Sequence, residues 1–282
     1  MTQYYLICYI VQMKILITNT LILPMTKRDY SLFGSIAIED GKIIGVGDIT
    51  RSFNPEVTID GSHLLAIPGL INAHTHASMQ YFKNFNDNAP TLEEWLKIIW
   101  SYEHLLNEED IYIASTSAIA EMISSGTTCF SDMYFFNQST MSAVVEQKMK
   151  ANIGLTLFGD EKDSMKRIDA SLTHLKKGRS ETKGSVLFDI APHAIYTCTR
   201  GTLEMGRALA DREKANLHIH ASESLFEVEQ SLLNHKLSPI AYLESIGTLN
   251  RDTNIAHVVH PRNNDIEIFK ATGAHIIHNP SS

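Results

Sequence analysis

Short runs of β-branched residues dominate the first 65 positions. Lys14-Ile15-Leu16-Ile17-Thr18 reads as a strand. Ser35–Glu39 and Lys42–Val46 flank Asp40-Gly41, whose glycine tolerates the positive φ of a tight hairpin. From Leu64 onward, apolar runs alternate with helical periodicity. Strands are expected over Leu64–Ala73, Thr127–Met133, Ile153–Phe158, Ser185–Ile190, Leu217–Ala221, Asn254–Val259 and Ala274–His278. Helices are expected over Thr91–Leu106, Glu108–Ser124, Thr140–Lys150, a charged stretch ending at Lys177, Thr202–Lys214, Leu225–Asn234 and Asn263–Ala271. The later strands lack polar alternation, as strands covered on both faces do.

This alternation predicts an α/β fold: a (β/α)8 TIM-type barrel with its last strand missing, preceded by a small N-terminal β-sandwich unit. The expected domains are a small β unit over 14–65 and a barrel, incomplete at its C-terminus, over 66–282. Residues 1–13 are expected to be an upstream extension, because strand patterning starts only after them.

Composition narrows the function classes. At 282 residues the chain can bury a large core, and a net charge of −8 with no Lys/Arg run argues against a nucleic-acid partner. The apolar start has neither a basic flank nor the length to span a bilayer, so no membrane partner is expected. Three widely spaced cysteines with no CxxC argue against a disulfide framework or a thiolate zinc site and suit a reducing, cytoplasmic setting. A homo-oligomer is compatible with this composition but not required by it.

The 13 histidines carry the chemistry. His74 and His76 alternate on one strand face, so two imidazoles can reach one ion together. His220 and His257 end later strands, and a parallel barrel gathers its strand ends at one rim. Zinc accepts neutral imidazole and keeps a position open for water, whose proton it makes easy to lose; iron and manganese suit the same donors. His74, His76 and His220 are the candidate ligands. Glu223, three residues beyond His220, is the candidate proton carrier, and His257 can orient the nucleophilic water or bind metal itself. His218 and His260 read as packing or surface residues, His278 as pocket wall or loop, and Asp132 as a structural acceptor.

Pro68-Gly69-Leu70-Ile71-Asn72-Ala73-His74-Thr75-His76, His220 to Glu223, and Ala256-His257 together resemble the amidohydrolase superfamily. Met133-Tyr134-Phe135, Ala191 to Cys198 and His278 to Ser282 are similar to its branch of 5-methylthioadenosine/S-adenosylhomocysteine deaminases. The resemblance runs from about Lys14 to Ser282. It implies zinc-dependent attack of hydroxide on C6 of an adenine nucleoside, giving the inosine analogue and ammonia. It further implies that Glu103 meets the ribose hydroxyls and His193 contacts the nucleoside. Sister activities on guanine, cytosine or triazines, including dechlorination, share the same motifs. The family's substrate-holding arginine at the end of strand three is absent from Gly154-Leu155-Thr156-Leu157; Arg167, in the following loop or helix, is a candidate to serve instead, though it reads rather as a surface salt-bridge partner. Its metal-binding aspartate would fall beyond Ser282, which leaves an inactive truncated fragment as the remaining reading.

Overall fold

A computed structural model describes residues 13–49 and 53–280, which fall into two compact units dividing after Gly69. The extension expected over 1–13 lies, apart from Met13, outside the described residues.

The first unit is one mixed sheet. Its strands are β1 (Lys14–Ile22), β2 (Leu32–Glu39), β3 (Lys42–Gly47), β4 (Val57–Asp60) and β5 (Leu65–Ala66). The order is β3-β2-β1-β4, with β5 pairing the far end of β1. Asp40 at φ 52° and Gly41 at φ 73° make the tight β2–β3 turn that their sequence announced.

The second unit repeats strand and helix: β6 (Leu70–Thr75), α1 (Leu92–Glu103), α2 (Glu108–Ser124), β7 (Thr127–Tyr134), α3 (Asn137–Glu146), β8 (Lys150–Leu157), α4 (Glu161–Glu181) and β9 (Val186–Pro192). It continues with α5 (Arg200–Glu213), β10 (Leu217–Ala221), α6 (Leu225–His235), α7 (Pro239–Ser245), β11 (Thr253–His257), α8 (Asp265–Thr272) and β12 (His275–Ile277). All seven strands pair in parallel and in chain order, from β6 to β12. This is the nearly closed, helix-covered sheet of a TIM-type barrel. Ile153, Leu155 and Leu157 of β8, Ile190 of β9 and Ile219 of β10 are fully buried, each contributing roughly 1.5–3 kcal/mol of transfer free energy. Among the described residues no helix is long and apolar enough to cross a membrane.

Three local expectations fail for identifiable reasons. The apolar run Leu64–Ala73 is two strands, because Pro68-Gly69 interrupts it: β5 pairs β1, whereas β6 opens the barrel sheet. Helix α3 starts at Asn137 and stops at Glu146, since Lys148 adopts φ 55° and turns the chain so that β8 can begin at Lys150. Helix α7 was not expected. Yet Ser238 caps it by accepting from the Ala241 N–H, and Pro239 occupies its first turn, a standard start signal.

Candidate metal centre and active site

The strand ends deliver the chemistry. β6 finishes at Thr75, and His76 opens a 3-10 turn over Ala77–Phe82. Buried Asp132 holds that turn, accepting from the Ala77 N–H at 2.7 Å, so its expected structural role is what the geometry gives it. After β10, Ser222 takes φ 55°; His257, the last residue of β11, and Val258 after it take φ 78° and 51°. Left-handed backbone is unfavourable for non-glycine residues, most of all for β-branched valine, and such strain gathers at working sites. Here it is held by main-chain bonds from Val258 N–H to the Ala221 carbonyl (3.1 Å) and from His260 N–H to the Ser222 carbonyl (2.9 Å).

The four strand-end histidines meet. His220 Nε2 lies 3.1 Å from His74 Nε2 and 3.3 Å from His76 Nε2. Ligand atoms of His74, His220 and His257 all fall within 4.8 Å of one another. His76 Nδ1 rests on the Met133 carbonyl (2.5 Å) and His220 Nδ1 on the His193 carbonyl (2.8 Å). A carbonyl only accepts, so both Nδ1 atoms carry the proton and both Nε2 atoms carry a lone pair. Lone pairs facing each other at that distance repel unless a cation lies between them. A proton is disfavoured there: burial, reinforced at His74 and His220 by neighbouring imidazoles, pushes all three pKa values down. Neutral imidazoles converging on one point fit a divalent transition metal.

Glu223 and His257 flank this cluster, with Glu223 Oε1 at 3.3 Å from His257 Nε2. Burial, then the charges of Glu227 and Glu93, raises Glu223 to about 7, while burial lowers His257 to about 4. A carboxyl group near 7 can both accept and donate a proton at neutral pH. Its main chain is pinned as well: Glu223 N–H donates to Glu227 Oε2 at 2.9 Å, at the start of α6, which Ser224 caps. Asn279 Nδ2 sits 3.1 Å from His257 Nδ1.

A cavity of about 110 Å³, lined by His76, His193, His220 and Glu223, opens at the cluster, and it shares Trp100, Glu103, Tyr134, Phe135 and Thr156 with a second cavity of about 530 Å³. Glu103, which composition alone would leave as a solvated helix charge, accepts from the Tyr134 hydroxyl at 2.6 Å. Its pKa is raised by burial against that bond. His193 stacks on Phe158, ring centres 4.6 Å apart, with its Nδ1 2.8 Å from Thr197 Oγ1. Arg167 corrects its expected role. Its guanidinium lies over the rings of Phe135 (5.6 Å) and Phe158 (5.3 Å), in the wall of the larger cavity.

His218 is the other correction. It is buried with its Nε2 3.0 Å from His74 Nδ1, so it belongs to the site and not to general packing. Its signal was its place two residues before His220, on the same strand face. Sequence reasoning passed over Glu227, although Ser224-Leu225-Phe226-Glu227 is a capping pattern, and gave no role to Asn279, although it lies in the His278 to Ser282 motif.

Known proteins share this chain's architecture. It is similar to a 5-methylthioadenosine/S-adenosylhomocysteine deaminase of Desulforudis audaxviator, 34% identical over 273 residues, covering 96% of this chain and 63% of that protein. A 5'-deoxyadenosine deaminase of Methanobrevibacter smithii is 36% identical over 272 residues, covering 95% and 62%. Among solved structures, a zinc-bound adenosine deaminase from Xanthomonas campestris superposes with a TM-score of 0.85 at 25% identity, covering 95% of this chain and 63% of that one. The chain thus spans about three-fifths of the length of these relatives. The amidohydrolase family profile matches residues 65–282, the whole barrel unit with its histidine cluster, and the chain belongs to that family.

Proposed function

We propose that this protein is a zinc-dependent hydrolase that deaminates an adenine nucleoside, such as 5-methylthioadenosine, S-adenosylhomocysteine, 5'-deoxyadenosine or adenosine, to the inosine analogue and ammonia. The observation that carries the reading is the convergence of three imidazole Nε2 atoms, two of them fixed as lone-pair donors, beside a carboxyl group poised near neutrality. The names of the relatives support the substrate class. His74, His76 and His220 would hold the zinc, with iron or manganese as substitutes. When bound, the metal lowers the pKa of water toward neutrality.

In this reading Glu223 takes the proton of the attacking water and hands it to the departing exocyclic nitrogen. His257, 3.3 Å from that carboxylate, orients the water. Glu103 has one oxygen engaged by Tyr134 and the other free for the sugar hydroxyls. His193, fixed by Phe158 and Thr197, contacts the base. The free thiols of Cys129 and Cys198 suit a cytoplasmic setting.

Incubating the zinc-loaded protein with these nucleosides, guanine, cytosine and an s-triazine, and following ammonia release, tests the proposal. Turnover of nucleosides supports it. Activity only on a free base or a triazine would replace it with a sister reaction, and activity on none would reject it.

A further inference from the structure

The three converging imidazoles are oriented by unlike means. His76 and His220 rest on main-chain carbonyls, which no substitution at a partner can remove. His74 rests on a side chain, with its Nδ1 3.0 Å from His218 Nε2. On its far edge, His218 Nδ1 faces Ser131 Oγ at 3.4 Å and Asp189 Oδ2 at 4.0 Å. Asp189 is buried and fixed in turn by Asn152 Nδ2 at 2.5 Å.

These contacts order the protons. The Ser131 hydroxyl can meet either form of His218 Nδ1, but a lone pair there would face the Asp189 carboxylate 4.0 Å away, whereas an N–H is attracted to it. With the proton on Nδ1, His218 Nε2 is an acceptor, and the His74 Nδ1–H donates to it. His74 Nε2 then carries a lone pair toward His220 Nε2, 3.1 Å away. The chain Asp189, His218, His74 runs from the barrel interior to the cluster.

We propose that His218, backed by Asp189, is a positioning residue that fixes the tautomer and ring orientation of His74 and so prepares it as a metal ligand. The proposal rests on the reading of His74 as a ligand. Residues that orient a metal-binding imidazole typically contribute roughly 10–100-fold in metal affinity.

The test is the zinc affinity of the metal-free full chain, measured by competition with a chromophoric chelator, with circular dichroism to verify folding. His218→Leu removes the acceptor and is expected to weaken zinc roughly 10–100-fold. His218→Gln, which offers an amide oxygen at similar reach, is expected to restore most of that loss. Parental affinity in His218→Leu overturns the proposal, as does a Gln variant as weak as the Leu variant. If His218→Leu does not fold, near-isosteric Asp189→Asn decides: weaker zinc with an unchanged fold supports the relay, and parental affinity overturns it. His74→Ala separates the two levels. Zinc binding undiminished in His74→Ala removes the ligand assignment and the relay with it, whereas a loss there beside parental affinity in His218→Leu removes the relay alone.

Discussion

His76 and His220 present their Nε2 atoms to each other across 3.3 Å while each Nδ1 is committed to a main-chain carbonyl. Two lone pairs so placed repel each other, and a cation bound between them removes that repulsion. Ligand bound only by the native state, at a concentration 100 times its Kd, adds about 2.7 kcal/mol of stability, or roughly 5–10 °C in Tm for a domain of this size. Thermal unfolding with and without zinc should show that rise, and chelation should reverse it. His220→Ala should abolish the response. A Tm indifferent to zinc in the parent would contradict the metal centre.

Glu223 sits close to His257 but contributes no donor to the imidazole convergence, so its chemistry and metal binding are separable. Under the proposed reaction, Glu223→Gln should retain zinc while turnover falls by about 10²–10⁴-fold, the usual contribution of a proton carrier. Elemental analysis beside a deamination assay measures both. Parental turnover would remove Glu223 from the mechanism.

The Tyr134 hydroxyl engages one oxygen of Glu103 at 2.6 Å, and under the proposed reaction the other meets the sugar. Glu103→Gln should cost about 1.5–3 kcal/mol, the scale of hydrogen bonds to charged groups, or roughly 10–100-fold in kcat/KM on ribosides. The same substitution should leave a substrate lacking the sugar hydroxyls almost unaffected. Equal losses on both substrates would show that Glu103 acts on the fold and not on the sugar.

Much of this was legible in the chain, and the exceptions are instructive. Spacing alone places His74, His76 and His220 on strand ends, because alternation along a strand is a local rule. His218 obeys the same rule, yet its partner His74 lies 144 positions away, and nothing local distinguishes a buried positioning imidazole from core filler. Arg167 failed similarly: its helix is strongly charged, and only tertiary packing brings its guanidinium over two aromatic rings. Pro68 shows the opposite case, a local signal overridden in the reading by the apolar run around it.

Gly154 of β8 has no room for a side chain. An added Cβ would lie 2.8 Å from the Asp132 carbonyl oxygen and 2.9 Å from Ala191 Cβ, on the two neighbouring strands. Gly154→Ala must spread β7 from β9, and overpacking of this kind costs about 1–3 kcal/mol. The urea midpoint should fall accordingly; an unchanged midpoint would mean that the sheet yields more freely than its parallel pairing suggests.

Glu227 gives stability a pH dependence whose sign can be worked out. Burial raises its carboxyl from 4.5 to about 7, against main-chain bonds from Glu223, Ser222 and Ser224 that favour the anion. Between those two values the unfolded chain has released this proton and the native state has kept it. The native state therefore binds more protons, and unfolding free energy falls as pH rises through the window, levelling off above about 7. At 1.36 kcal/mol per pKa unit, the loss between pH 4.5 and 7 is about 3 kcal/mol. Glu227→Gln cannot titrate, so its stability should decline less than the parent's by about that amount. The buried histidines titrate in both proteins and cancel from the difference, whereas Glu223, whose carboxyl the Glu227 charge helps to raise, adds to it in the same direction. Urea unfolding of the metal-free proteins at pH 5 and pH 8 measures it; parallel declines would show that Glu227 is ionised in the native state throughout, held by the N–H groups at the start of α6.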